Sequence, residues 1–257
     1  MADEIIFEKR GRTAHVTMNR PKQNNAINLA VRKGLCDAWE EIDRDPEIYT
    51  VIITGGEDIF STGQDLQELA EFKEKDPLGD LPLNDLRTFG AQVQKPVIAA
   101  IGGYCLGFGF LMTMVAADIR IALDTARFGM PEVKVAVPPS IGIPPIAARY
   151  FPPAVAMELF LTGDEMTAED AHRVGFVNKI VPPGKLLSTA LAYAEKINRF
   201  SPLIVKNIKK VFKEIITPDP KDIAFSEAVC MLGRHSQDYL EGPRAFKEKR
   251  KPVWKGC

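Results

Sequence analysis

The chain contains little cysteine and little histidine, which limits the chemistry that it can perform. Its 257 residues include four cysteines, none paired as Cys-x-x-Cys, and three histidines that are far apart. The pattern therefore disfavours both a disulfide framework and a metal site, and we expect reduced thiols and no metal ion. These residues are Cys36, Cys105, Cys230 and Cys257, with His15, His172 and His235.

Long hydrophobic runs and a large net charge are also missing. Glycines interrupt the apolar residues 98–117, and the first residues show no signal-peptide pattern, so the sequence predicts a cytoplasmic protein without a membrane partner. The net charge of −1 disfavours nucleic acid as a partner. Residues 201–257 nevertheless hold 12 Lys and Arg against 7 Asp and Glu. Such a basic end suits a phosphate-bearing ligand, a subunit contact or a solvated helix face.

Strand and helix patterns alternate over most of the chain. Apolar runs at residues 49–54, 97–101 and 119–122 are typical of buried strands, and the stretches between them predict helices in βαβ units. Residues 66–95 are polar and broken by proline and glycine, which predicts a mobile excursion near a binding site. We therefore predict an α/β core over residues 1–200 and a helical part over residues 201–257. In that part, Ile204, Ile208, Val211 and Ile215 form an apolar face opposite Lys206, Lys209, Lys210 and Lys213.

The most informative segment is a glycine-rich turn between an apolar strand and an apolar helix. Residues 98–118 read IAAIGGYCLGFGFLMTMVAAD. Closely spaced glycines at the start of a helix let backbone N–H groups approach a ligand. Other distinctive segments are NRPKQNNA (residues 19–26), FSTGQDL (60–66), FGMPE (128–132) with PPSIG (138–142), and EGPRAFKEKR (241–250). In this order the segments resemble the crotonase (enoyl-CoA hydratase/isomerase) superfamily, and they cover nearly the whole chain.

The resemblance implies a spiral of ββα units and thioester chemistry through an enolate. Two backbone N–H groups of the family hold the thioester oxygen, and donors of this kind contribute a few kcal/mol each to stabilising the transition state. By resemblance these donors are the N–H groups of Gln64 and Phe108. Glu132 matches one of the two catalytic glutamates of the family. A carboxylate in an apolar stretch suits a base that removes a proton next to the thioester carbonyl.

The position of the second catalytic glutamate is occupied by Leu111. Ser140 stands where dienoyl-CoA isomerases carry an aspartate. One base opposite an apolar wall resembles the Δ3,Δ2-enoyl-CoA isomerases, so we expect double-bond isomerisation with Leu111 and Ser140 facing the acyl group. A hydratase, decarboxylase or hydrolase of an unusual acyl-CoA, with a polar group from residues 66–95, is the alternative. A non-catalytic acyl-CoA binder is a third hypothesis.

The resemblance also implies how coenzyme A and other subunits bind. The CoA thioester is the substrate, and no separate cofactor is expected. Lys249 or Arg250 would approach the phosphates, and residues 201–257 would cover the coenzyme or join subunits. The adenine would be held by Lys22, Gln23, Asn24, Thr62, Asp65 and Leu66. The expected assembly is a homotrimer or a dimer of trimers.

Overall fold

A computed structural model describes residues 4–77, 79 and 81–256, and its larger sheet has six strands. In spatial order they are β1 (Ile5–Arg10), β2 (Thr13–Met18), β3 (Thr50–Thr54), β5 (Val97–Ile101), β7 (Ile119–Leu123) and β10 (Lys179–Val181). The first two strands form an antiparallel hairpin, and the remaining neighbours are parallel. The three strands predicted from the apolar runs thus lie side by side at its centre.

A second sheet has four short strands, which are β4 (Ile59–Ser61), β6 (Tyr104–Leu106), β8 (Arg127–Gly129) and β9 (Glu165–Thr167). Strands β4, β6 and β8 run parallel, and β9 is antiparallel to β8. Each of these three parallel strands follows a strand of the larger sheet within a few residues and precedes a helix or a 3₁₀ turn. This repeated strand–strand–helix unit confirms the predicted α/β spiral.

Helices cover the larger sheet and make up the regular structure of the C-terminal part. They are α1 (Leu29–Arg44), α2 (Leu66–Lys75), α3 (Phe108–Val115), α4 (Ile143–Tyr150), α5 (Pro153–Thr162), α6 (Ala168–Arg173), α7 (Leu186–Ile197), α8 (Pro202–Ile216), α9 (Pro220–Arg234) and α10 (Gln237–Lys247). Short 3₁₀ turns lie at Pro21–Gln23 and Pro131–Val135. Within the described residues, no helix is both long and apolar enough to span a bilayer. The segment at residues 66–95 contains α2, and its Leu78 and Asp80 lie outside the described residues.

The core lies on both faces of the larger sheet. Val51 and Ile53 of β3 belong to a large apolar cluster that includes α1 and α3, whereas Ile52 packs in a second cluster with α7. Successive strand residues point to opposite faces, so a strand that is apolar throughout must be buried on both. The doubly covered sheet is a rigid base for the loops that follow its strands.

Helix α8 buries a lysine and exposes its apolar residues. Its predicted helical pattern is confirmed, yet Lys209 is only 7% exposed and its Nζ lies 2.7 Å from Asp118 Oδ2. The helix therefore presents its apolar face away from this chain's own core, contrary to the usual arrangement of a surface helix. The apolar residues that are more than half exposed are Leu203, Ile204, Ile208, Val211, Phe212 and Ile215.

Candidate active site

Two glycine turns pack against each other where β4 and β6 end. Gly63 has φ +88° and Gly107 has φ +52°, a region that residues with a side chain rarely adopt. A Cβ on Gly63 would lie 2.9 Å from the carbonyl oxygen of Leu106 and 3.1 Å from the backbone N of Phe108. Because glycine alone permits this approach, the turns bring the amides of Gln64 and Phe108 to one place.

Among the described residues, the amides of Gln64 and Phe108 have no backbone acceptor. The Ile27 N–H donates to the Gly63 carbonyl at 2.7 Å, and the Asp65 N–H donates to the Ile27 carbonyl at 3.1 Å. These two hydrogen bonds flank Gln64 and leave its own N–H out of the pairing. Phe108 is the first residue of α3, where a helix leaves its N–H groups unpaired. Across the described residues, neither amide donates to another backbone group. Two such donors, one of them at the start of a helix, can stabilise negative charge on a ligand oxygen.

The Glu132 carboxylate lies beside the second of these turns. Strand β8 pairs with β6, and the Gly107 N–H donates to Gly129 at 3.0 Å, so the chain leaving β8 passes next to the turn. Pro131 starts the 3₁₀ turn there, and Glu132 is its second residue. A Cβ on Gly107 would lie 2.7 Å from Glu132 Oε1. The carboxylate therefore lies beside Gly107, the residue that directly precedes Phe108 and its amide in the chain.

Burial raises the pKa of the Glu132 carboxyl group into the range that suits proton transfer near neutral pH. The residue keeps some exposed surface, but its Oε2 is buried and has no hydrogen-bond partner among the described residues. Burial disfavours the charged form and raises the pKa of Glu132 to about 7, against the opposing effect of its own backbone N–H. A carboxyl group with this pKa can both take up and return a proton at neutral pH.

Gln64, Phe108 and Ser140 line a small polar cavity of about 20 Å³, roughly the room for one water molecule. Glu132 is not among its lining residues. An acyl group requires the side chains around this cavity to move, including those contributed by α9 and α10. The remaining lining residues are Leu69, Leu81, Asn84, Val137, Pro138, Arg234 and Tyr239. Asn84 is a polar group from residues 66–95.

A much larger cavity of about 440 Å³ lies elsewhere, between α3, α4 and the C-terminal helices α8 and α9. It contains none of the residues predicted for the site. Its lining is mostly apolar and includes the ion pair of Asp118 with the buried Lys209. We therefore place the candidate active site at the smaller cavity, which is lined by Gln64 and Phe108, while Glu132 lies beside the adjoining Gly107.

Leu111 lies outside both cavities. It is fully buried in the main apolar cluster on the first turn of α3, and its N–H donates to the Gly107 carbonyl at 2.8 Å. The structure thus places Leu111 next to the glycine turn but gives it no exposed surface. Leu111 therefore contributes only an apolar side chain at this position.

The structure brings the residues predicted for adenine into one surface. Thr62 donates to the Asn24 carbonyl from its N–H at 3.1 Å and from its hydroxyl at 3.2 Å. Arg20 Nη1 lies 3.0 Å from the Asp65 carboxylate. This ion pair joins the segment that contains Lys22 and Gln23 to the segment that contains Leu66. These segments adjoin Gly63.

Lys249 is exposed in the turn after α10. Two residues earlier, Lys247 Nζ lies 2.9 Å from Glu74 Oε1, which fastens the end of α10 to α2.

The sequence interpretation missed Arg32, a buried arginine on α1. Arg32 is 1% exposed, and its Nη2 donates to the side-chain oxygen of Gln64. It falls on the helical stripe formed by Leu35, Trp39 and Ile42, all of which are buried. A charged residue at a core-facing position is the signal that could have drawn attention to it.

Comparisons with known proteins identify the family of this chain. A profile described as enoyl-CoA hydratase/isomerase matches residues 8–257. The carnitinyl-CoA dehydratase of Salmonella arizonae is 36% identical over the full length of both chains. The crystal structure of carnitinyl-CoA hydratase from Mycobacterium avium is 36% identical, with a TM-score of 0.87 over both whole chains. A methylmalonyl-CoA decarboxylase in complex with 2-nitronate-propionyl-CoA is 28% identical, with a TM-score of 0.85 over 98% of each chain. The chain therefore belongs to the enoyl-CoA hydratase/isomerase (crotonase) family.

Proposed function

We propose that this enzyme moves the double bond of a 3-enoyl-CoA into conjugation with the thioester. Glu132 removes a proton from C2, and the electrons form a dienolate whose oxygen accepts hydrogen bonds from the N–H groups of Gln64 and Phe108. Glu132 then returns the proton to C4, which yields the 2-enoyl-CoA. The observation that carries this proposal is the half-buried Glu132, with a pKa of about 7, beside the Phe108 amide.

Leu111 favours isomerisation over hydration. Addition of water across the double bond needs one group to activate the water and one to deliver a proton. Leu111 can do neither. A single base is sufficient for isomerisation, since the same carboxyl group takes and returns the proton.

Dehydration or hydration is the second candidate, and the names of the relatives favour it. The Salmonella and Mycobacterium avium proteins are named carnitinyl-CoA dehydratase and hydratase at 36% identity. The small cavity also has the amide of Asn84 and the hydroxyl of Ser140, with room for about one water molecule. In this reaction Glu132 would again act at C2, while a hydroxyl group leaves from or adds to C3.

One assay distinguishes these reactions. We expect the enzyme to convert a linear 3-enoyl-CoA to the 2-enoyl form, seen as rising ultraviolet absorbance of the conjugated thioester. Crotonyl-CoA should keep its absorbance, because water is not added. Rapid loss of crotonyl-CoA absorbance, or dehydration of carnitinyl-CoA, without isomerisation would establish the second candidate instead.

The pH dependence of kcat/KM should report Glu132. Because the base must be ionised and burial raises its pKa to about 7, the rate should be low below pH 7 and rise to a plateau above it. Kinetics with the 3-enoyl-CoA between about pH 5 and pH 9 measure this. A rate that stays near its plateau down to about pH 5, as the ordinary glutamate pKa of 4.5 would give, contradicts the assignment. A second, falling limb near pH 8 indicates a separate acid.

We also propose that coenzyme A binds along Lys22, Gln23, Asn24, Thr62, Asp65 and Leu66, with Lys249 near its phosphates.

The exposed apolar face of α8 supports a homotrimer or a dimer of trimers, because water-exposed apolar surface of this extent is stabilised by burial against another subunit. The mass of the protein in solution, measured by light scattering, tests this assembly. A monomer at all concentrations contradicts it.

A further inference from the structure

A single buried guanidinium links three segments of the candidate site. Arg32 Nη2 donates to the side-chain oxygen of Gln64. Its Nη1 donates to the Leu83 carbonyl and to Asn84 Oδ1, each at 3.1 Å. Two of these partners, Gln64 and Asn84, line the small cavity. Arg32 itself is 1% exposed, so its position is set by these contacts and not by solvent.

The same guanidinium contacts the ring of Phe108. Its carbon lies 5.1 Å from the Phe108 ring centroid and 5.9 Å from that of Phe89, and the two rings are 5.1 Å apart. A guanidinium within about 6 Å of an aromatic face is attracted to it, most strongly where water is excluded. Arg32 therefore touches the side chains of both residues whose N–H groups form the proposed oxyanion site.

Arg32 keeps its charge although it is buried. Within the described residues no carboxylate lies in ion-pair distance of it, and its Nε has no hydrogen-bond partner. Burial lowers the pKa of the guanidinium to about 10, with Glu68 and Asp85 opposing the shift, so Arg32 is protonated at neutral pH. A buried, incompletely compensated cation is destabilising unless negative charge comes near it. An enolate oxygen between Gln64 and Phe108 provides such charge.

We propose that Arg32 is a positioning residue that holds Gln64 and Phe108 so that both N–H groups point at the thioester oxygen, while its charge stabilises the enolate. This inference rests on the oxyanion site of the proposed function. It applies equally to isomerisation and to dehydration, because both reactions pass through negative charge on the same oxygen.

The chromophoric thioester 4-(dimethylamino)cinnamoyl-CoA tests this role without turnover. Hydrogen bonds to its carbonyl oxygen draw electrons from the dimethylamino group and shift its absorption to longer wavelength. We expect a red shift on binding to the wild-type enzyme and loss of most of that shift in Arg32→Met. With the reactive substrate, kcat should fall about 10- to 100-fold while KM changes little. Arg32→Lys, which keeps the charge without the planar fork, should restore an intermediate shift.

Arg120 provides a matched control. It is also buried, donates to the Thr113 and Ala117 carbonyls at 2.9 Å each, and stacks over Phe176, away from Gln64. Arg120→Lys should lower the melting temperature yet keep the red shift and kcat of the folded enzyme. A purely structural role for Arg32 predicts that its variants behave in the same way.

The outcomes separate the two proposals. A full red shift and wild-type kcat in Arg32→Met overturn the role of Arg32 while leaving the oxyanion site intact. If Arg32→Met does not fold, Arg32→Lys decides, since an intermediate shift supports the proposal and a full shift overturns it. Absence of a red shift in the bound wild-type enzyme removes the oxyanion site from this turn, and the proposed role of Arg32 with it.

Discussion

Replacement of Glu132 by glutamine is expected to reduce kcat by about 10³- to 10⁴-fold while the CoA thioester still binds. Glutamine has nearly the same shape but cannot take a proton from C2. The Gln64 and Phe108 amides are unchanged, so polarisation of the thioester carbonyl and the affinity for substrate should be kept. Steady-state kinetics with a 3-enoyl-CoA, together with calorimetric titration of a non-reactive acyl-CoA, measure the two effects.

The same substitution should stabilise the fold above neutral pH. The folded-state pKa of Glu132 is about 7 and the unfolded value is about 4.5, so burial favours the protonated form. The wild-type free energy of unfolding is therefore highest below about pH 4.5 with respect to this group, decreases as pH rises, and levels off above about pH 7. Glu132→Gln removes this decrease and should gain roughly 1 to 3 kcal/mol at pH 8.

Glu195→Gln on α7 is a suitable control, since Glu195 is exposed and lies on a helix that packs against the other face of the larger sheet. It should leave kcat and the pH dependence of unfolding unchanged. If Glu132→Gln keeps kcat within tenfold of the wild type, another group is the base. If it gains no stability at pH 8, the carboxyl group is better solvated than the structure indicates.

Replacement of Gly107 by alanine should be the second most damaging change. The backbone there has φ +52° and ψ −124°, which an alanine adopts only with strain. Its Cβ would also lie 2.7 Å from Glu132 Oε1 and would force the carboxylate away from the turn. Because the next residue supplies the Phe108 amide, both the base and one oxyanion donor are displaced. We expect kcat to fall about 10²- to 10³-fold.

Gly11→Ala separates backbone strain from crowding. Gly11 has φ +58° in the turn between β1 and β2, and an added Cβ would meet no atom within 4 Å. This variant should lose roughly 1 kcal/mol of stability and keep full kcat. Denaturant unfolding and kinetics on both variants provide the comparison. Wild-type kcat in Gly107→Ala would show that the turn does not shape the reactive site.

Local sequence patterns predicted much of the fold. The runs at residues 97–101 and 119–122 become β5 and β7 almost residue for residue, because an apolar run of this length can be buried on both faces only inside a sheet. The glycines at positions 63 and 107 were recognisable because a close backbone approach requires them. The FGMPE motif likewise singled out Glu132 as the candidate base.

Long-range contacts were not readable in the same way. Arg32 and Gln64 are 32 residues apart, and periodicity alone does not reveal that α1 carries its charged residue into the site. The pKa of Glu132 depends on how completely neighbouring segments exclude water, which is a property of the packed chain. The predicted contacts to coenzyme A and the predicted roles of Leu111 and Ser140 stay predictions. The same is true of the predicted boundary between an α/β core and a helical part at residues 200 and 201.

The sequence by itself determined the central strands of the larger sheet, the glycine turns and the helical periodicity of the C-terminal part, since these depend on residues close together in the chain. Only the tertiary structure decided which face of α8 turns inward. Lys209 pairs with Asp118, 91 residues away, so its ammonium group is buried on the inner side of the helix while Ile208 and Ile215 face outward. An ion pair between distant segments depends on where folding brings them together, and a hydrophobic pattern contains no information about that partner.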